Sequence, residues 1–466
     1  MPRVTLILFE VPPLPDERPL TALLSAARRA LAQEHVERFL RAGVDDVVRV
    51  AGRGAVPPEA GPPDLMVRVA GRGAVPPEAG PETPRRAEAA AGAYGPERAL
   101  SPLRFVEAAS FGEALARVVH DEHVEACVVL GDGAVPRLRD VDAERLVQAA
   151  RSDGSVALTN NRFSSDVCAV SHAETLQTLP ALPSDNALPR WLEEVAGYAV
   201  RDLAARGRLA LDLDTPLDLA LLALAPDARP ALRRLAVTSS IRVPRAEALR
   251  AVAADPRREL LVFGRSSSAT LGWLERHVRC RVRFLAEERG MRAASPLAMR
   301  SGGATNGASG GGTAAATGLG AAAATGGGTA GTTGEGLELR SARARGSGPA
   351  RPRPSTDAQP TRPPRATLGR LLDREGPDAL PGIVSELADA AVLDTRVLLA
   401  DRMGPDEDTW PAPEDRFASD LLLAEKIADP WLRSLTAAVA SAPIPILLGG
   451  HTLVGPGVRL LLRGIR

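Results

Sequence analysis

At 466 residues, with 45% apolar and 24% charged side chains, the chain is long enough for more than one hydrophobic core and has an ordinary globular composition. Its 57 basic residues balance 57 acidic ones, which argues against a general binder of nucleic acid or of an acidic surface. Only Lys426 is a lysine, so arginine must make any contacts to phosphate.

Cys127, Cys168 and Cys280 stand singly among apolar neighbours without a CxxC spacing. They read as small core residues in a reducing compartment, with neither disulfide nor zinc site expected. Apolar runs stay below the roughly 18 residues that span a bilayer. Met1–Glu10 lacks the charged start and cleavage site of a signal peptide. The expectation is a cytoplasmic protein with no membrane partner.

In chain order, Val4–Phe9 reads as a buried strand, Leu20–Ala42 as an amphipathic helix ended by Gly43, and Asp46–Val50 as a second strand. The string VRVAGRGAVPPEAGP then occurs twice, at Val48–Pro62 and Val67–Pro81. Two copies do not make a solenoid, and the duplication reads as a Pro/Gly-rich surface loop over 48–81. Strands are expected at Leu103–Ala108, Glu125–Leu130, Ser155–Thr159 and Val167–Ser171. Helices are expected at Phe111–His120, Asp142–Arg151, Ala187–Ala204 and Pro216–Ala225. Strands alternating with helices predict an α/β domain with a doubly wound, mostly parallel sheet over 1–228.

A second α/β domain is expected over 229–300 and 366–466. Its strands are placed at Leu260–Phe263, Arg281–Leu285, Val397–Ala400 and Ile444–Leu448, with helices that include Ala269–His277, Ile383–Ala390 and Pro430–Ala440. Between its halves, 301–365 is Gly/Ala/Thr-rich and then Arg/Pro-rich. Such a segment buries too little apolar surface to offset its ordering entropy and reads as a disordered linker.

Two acidic segments carry the chemistry. Leu211-Asp212-Leu213-Asp214-Thr215-Pro216-Leu217-Asp218-Leu219 reads as a strand end bearing two carboxylates, then a helix start with Thr215 at the N-cap, Pro216 at N1 and Asp218 at N3. Val128–Leu138 reads as a strand followed by Gly131-Asp132-Gly133-Ala134-Val135-Pro136. Between them, Asn160-Asn161-Arg162 opens a polar loop after a strand, with an ordinary turn as the competing reading. Gly264-Arg265-Ser266-Ser267-Ser268 is a strand-to-helix turn whose N–H groups and hydroxyls suit an anion, although a plain serine N-cap has the same pattern.

The DxDTPxDL string, together with the strand–GD–helix segment around Asp132, resembles nucleotidyltransferases of the glycosyltransferase-A-like fold. The molybdenum-cofactor and phospholactate guanylyltransferases are of this type, and the likeness covers about residues 1–228. The resemblance implies an Mg²⁺ ion on Asp132, Asp212 and Asp214, an NTP, and a phosphorylated small molecule attacking its α-phosphorus. It also implies Arg162 as the catalytic phosphate clamp beside Asp132, with Asn160 and Asn161 binding the acceptor.

Enzymes of this kind follow their first strand with a Gly-rich loop whose N–H groups hold the nucleotide phosphates. This chain has Val11-Pro12-Pro13-Leu14-Pro15-Asp16-Glu17-Arg18 instead. Arg28 and Arg29 on the following helix read either as electrostatic substitutes or as an ordinary solvated helix face. Two other readings stay open: a non-catalytic relative that keeps the fold for binding or assembly, and a C-terminal activity around His451 and Asp420.

Overall fold

The computed structural model describes residues 1–13, 17–51, 103–204, 206–287 and 365–465. Most of the duplicated loop and nearly all of the expected linker lie outside the described residues.

Seven strands form the first sheet: β1 Val4–Glu10, β2 Asp46–Ala51, β3 Leu103–Phe105, β4 Ala126–Gly131, β5 Val156–Thr159, β6 Val167–Val170 and β7 Ala199–Asp202. Their order is β3-β2-β1-β4-β6-β5-β7, parallel except that β6 runs against both β4 and β5. In β1, Leu6 pairs with Val47 on one side and Val128 on the other.

Alternation along β1 sends its side chains to opposite layers. Val4, Leu6 and Leu8 pack with Ala32, Val36 and Phe39 of α1 (Pro19–Arg41). Ile7 packs on the other face with Leu115 and Val119 of α2 (Phe111–Asp121). Because β1 and β4 are neighbours and β1 connects through α1 to β2 on its other side, the chain changes winding direction between them. Such a switch point leaves a crevice at the carboxyl ends of the strands.

The second sheet has four parallel strands, β8 Glu259–Gly264, β9 Arg281–Ala286, β10 Ala390–Asp394 and β11 Ile446–Gly449, in the order β11-β10-β8-β9. One face, with Leu261, Phe263, Leu393 and Leu448, packs on later helices through Leu368, Val384 and Leu435. Its other face, with Leu260, Val262, Val392 and Leu447, shares one core with Leu20, Leu24 and Leu31 of α1 and with Leu217 and Leu221 of the helix Pro216–Ala223. The first layer of one sheet is thus continuous with the second, and the division expected near residue 228 falls inside a common core.

Two segments differ from expectation. The helix expected over Ala187–Ala204 stops at Glu194. Gly197, at φ +76°, turns the chain and Ala199–Asp202 continues as strand β7. The strand expected at Val397–Ala400 is helical, because Asp394 accepts a hydrogen bond from the Arg396 N–H and caps the helix Thr395–Met403; the strand is the run before it. Among the described residues, no helix is long and apolar enough to cross a membrane. All three cysteines are free and buried, and burial pushes the Cys127 thiol up to about 12.

Candidate metal centre at the seam between the two sheets

Residues 210–214 belong to no sheet ladder. Leu211 and Leu213 are fully buried, which leaves Asp212 and Asp214 on the opposite side of the segment. One backbone bond, Leu213 N–H to Gly133 O at 2.9 Å, ties this segment to the turn after β4. The helix that follows is held by a reciprocal capping box. The Asp218 N–H donates to Thr215 Oγ1 at 3.2 Å, and the Thr215 N–H donates to Asp218 Oδ2 at 2.8 Å.

His451 reaches this segment from the second sheet. It follows Gly449-Gly450 at the end of β11, and Gly449 packs closely against the helix Pro216–Ala223. A Cβ there would lie 2.8 Å from Leu453 Cδ2 and 3.0 Å from Leu217 Cδ2, so a side chain would make Leu453 and Leu217 shift. As a result His451 Nε2 lies 3.7 Å from Asp212 Oδ2, and one donor atom each from Asp212, Asp214 and His451 fall within 4.8 Å of one another. Asp212 Oδ1 is buried and accepts no hydrogen bond. Burial, and then the charge of Asp214, push the Asp212 carboxyl well above the ordinary range.

Asp132 stands next to this group without joining it. Its N–H donates to Phe9 O at 2.8 Å, and its Oδ2 accepts from the Val11 N–H at 3.0 Å, which fixes it between the carboxyl ends of β1 and β4. Burial raises its carboxyl, opposed by Arg28. The Arg28 guanidinium fills the space between, with Nη2 3.1 Å from Asp214 Oδ1 and Nε 3.9 Å from Asp132 Oδ1. The trio expected to share an ion is therefore divided: Asp212 and Asp214 gather with His451, while Asp132 faces an arginine.

Most of the other expected contacts are committed to the fold. Arg162 donates from Nε to Asp202, from Nη1 to Glu193 and from Nη2 to Val200 O, at 3.0–3.3 Å. That engages all three nitrogens in tying the β5 loop to β7, so the expected phosphate clamp is held by protein contacts in this structure. Asn160 likewise holds the loop together, donating to Asp166 and Leu209 O and accepting from the Asp166 and Val167 N–H groups. Asn161 closes a turn by accepting from the Phe163 N–H.

In the second unit Gly264, at φ +122°, lies against Asp394, where a Cβ would come 2.2 Å from the Asp394 Cβ. The Arg265 N–H donates to Asp394, Ser266 Oγ donates to Val454 O, and Ser267 caps the next helix. The turn is thus filled by protein. The Arg265 charge nevertheless lowers the Asp212 carboxyl, so this side chain belongs to the surroundings of the centre. Asp420 is engaged with Arg396 in a buried two-bond ion pair, and the sequence pairing of Asp420 with His451 gives way to that of Asp212 with His451.

Asp166 and Asp185 are additions. Burial raises both carboxyls, Asp185 to about 6, and the charges of Asp212 and Asp185 raise Asp166 further. Their sequence contexts, a serine-rich turn and a helix start, look like ordinary punctuation, and no local signal places them beside Asp212. A hollow of about 630 Å³ lies elsewhere, against Leu224, Val237, Ile241 and Val243, and contains none of these acids.

No family model, curated protein or solved structure matches the chain.

The donor set fits a divalent cation. An ion with bonds of ~2.1 Å spans up to about 4.2 Å between opposite ligands, close to the spread of the three atoms. The Asp212 oxygen without a hydrogen bond is a candidate ligand, since a buried carboxylate oxygen is costly without a proton or a cation beside it. Two carboxylates and an imidazole form a mixed oxygen–nitrogen set, which suits Mn²⁺ better than the all-oxygen preference of Mg²⁺.

Proposed function

We propose that this chain is a divalent-cation-dependent nucleotidyltransferase of the glycosyltransferase-A-like type, acting on an NTP and a phosphorylated small-molecule acceptor. The cation is held by Asp212, Asp214 and His451. The sequence resemblance implies Mg²⁺, and the imidazole makes Mn²⁺ the better match. The observation that carries this reading is the meeting of three potential ligands from segments about 240 residues apart, beside the β1/β4 switch point where open α/β sheets bind ligands. The cation would neutralise phosphate charge. Arg28 and Arg265 supply the flanking guanidinium charge, and Asp132, anchored by Val11 and Phe9, marks the crevice between β1 and β4.

Calorimetric titration with Mn²⁺ and Mg²⁺, alone and with each of GTP, CTP, ATP and UTP, tests the proposal. Base-selective binding that needs the cation is expected, and His451→Ala should weaken cation binding by at least about tenfold. Cation affinity unchanged in both Asp212→Asn and His451→Ala would remove the centre.

A non-catalytic binding or assembly role is the second reading. It is favoured by Pro12 and Pro13, which follow β1 without N–H groups, and by the commitment of Arg162 to Asp202 and Glu193. Cation binding without response to any nucleotide would select it.

A further inference from the structure

Arg28 is a positive charge that the fold places directly on Asp214. From α1 its Nε donates to Leu213 O at 2.9 Å and its Nη2 to Asp214 Oδ1 at 3.1 Å. Gly133 makes room for it, since a Cβ there would come 3.0 Å from the Arg28 Nε and 2.8 Å from Leu213 O. The guanidinium is about one-fifth exposed and the Asp214 carboxylate about half exposed, so both are within reach of a solute.

A divalent ion on Asp214 would share that carboxylate with the guanidinium, and like charges a few ångströms apart repel in a partly buried site. A polyphosphate changes the balance. It brings negative charge to the ion and offers the planar guanidinium fork oxygens as good as those of Asp214. Among the described residues, Pro12 and Pro13 after β1 offer no backbone N–H, which leaves the Arg28 side chain as a donor on that side.

We infer that Arg28 competes with a bare divalent cation for Asp214 and that a polyphosphate relieves the competition by taking the guanidinium, so that the centre loads a cation together with a polyphosphate. The inference rests on the cation reading above and adds what the cation must arrive with. Coupling of this kind is reciprocal, each partner tightening the other by the same factor.

The test is Mn²⁺ binding to the full chain, followed by water-proton relaxation, which separates protein-bound ion from free Mn²⁺ and from Mn²⁺–tripolyphosphate. Wild type, Arg28→Gln and Arg28→Lys are compared, without and with tripolyphosphate. Arg28→Gln should bind bare Mn²⁺ about tenfold tighter than wild type, and tripolyphosphate should tighten Mn²⁺ about tenfold in wild type but less than about threefold in Arg28→Gln. Arg28→Lys, which keeps the charge, should hold bare Mn²⁺ as weakly as wild type does. Mn²⁺ binding in wild type with unchanged affinity and unchanged coupling in Arg28→Gln overturns the inference alone. Failure of wild type and Arg28→Gln alike to bind Mn²⁺, with or without tripolyphosphate, overturns the cation reading and the inference together.

Discussion

Asp212→Asn should stabilise the protein without a cation and destabilise it, relative to wild type, with one. At a pH above the raised range of Asp212, where both carboxyls are ionised, the Asp212 and Asp214 ligand oxygens lie within 4.8 Å, and two unit charges there repel by about 3.5 kcal/mol at an effective dielectric near 20. Asp214 is 49% exposed, so solvent screening leaves roughly 1–2 kcal/mol. Asp212 Oδ2 also lies 3.7 Å from His451 Nε2, and losing that contact leaves a net gain of about 1 kcal/mol. For a chain of this size that corresponds to roughly 1–1.5 °C in melting temperature. In the presence of Mn²⁺ at a hundred times its dissociation constant, wild type gains about 2.7 kcal/mol and the variant gains little, so the order of the two melting curves reverses. Thermal denaturation in EDTA and in Mn²⁺ reads this directly. A variant that melts below wild type in EDTA, or that keeps the full Mn²⁺ shift, would show that Asp212 is an ordinary structural carboxylate.

Asp185 adds a pH dependence. Its carboxyl is raised from 3.8 to about 6 in the fold, so stability present below pH 4 is lost as pH rises from about 4 to 6, by up to about 3 kcal/mol. In urea titrations Asp185→Asn should therefore exceed wild type at pH 7 and match it at pH 4. Arg162→Ala should lower the urea midpoint through loss of its Asp202 and Glu193 contacts while leaving Mn²⁺ affinity within about twofold of wild type, measured by calorimetry. Asp420→Asn leaves the Arg396 guanidinium buried without its carboxylate and should cost about 3 kcal/mol, at the low end for such pairs because Asp394 and Asp218 still face Arg396. Leu221→Ala opens the shared core and should cost about 2–5 kcal/mol, with circular dichroism and tryptophan fluorescence moving in one transition; two separated transitions would show that the sheets unfold independently.

The parts legible in the sequence are those whose physics is local. The alternation in Leu211-Asp212-Leu213-Asp214 already separates two core residues from two carboxylates, and Thr215-Pro216-Leu217-Asp218 announces the helix that fixes them. Most strands were marked by short apolar runs. Strand β7 was hidden because Trp191 to Val200 carries apolar residues at helical spacing, and only the left-handed Gly197 breaks the pattern. The run Ala390–Ala400 is apolar on both sides of Asp394, so a capped helix start looked like the strand it follows. The intramolecular contacts of Arg162 and Asn160 are not legible for a related reason: a polar loop residue after a strand has the same signature whether it meets a ligand or Asp202.

His451 shows what local pattern cannot carry. Its partner Asp212 lies far away in sequence, and their approach depends on Gly449 packing against Leu217 within a core that also contains Leu24 of α1. The same core explains how the chain tolerates its acids. Asp166, Asp185 and Asp212 all have raised carboxyls with burial as the first cause, and each is pushed further by a neighbouring negative charge. Hydrophobic burial on both sheets holds them together against that repulsion. Arg28 and Arg265 offset only part of it, and the remainder has two neutralisers, a proton or a divalent ion. Because these compete for the same oxygens, cation affinity must fall as pH drops through the raised carboxyl range. A site that was merely a strained acidic turn would relax on protonation and gain nothing from a metal.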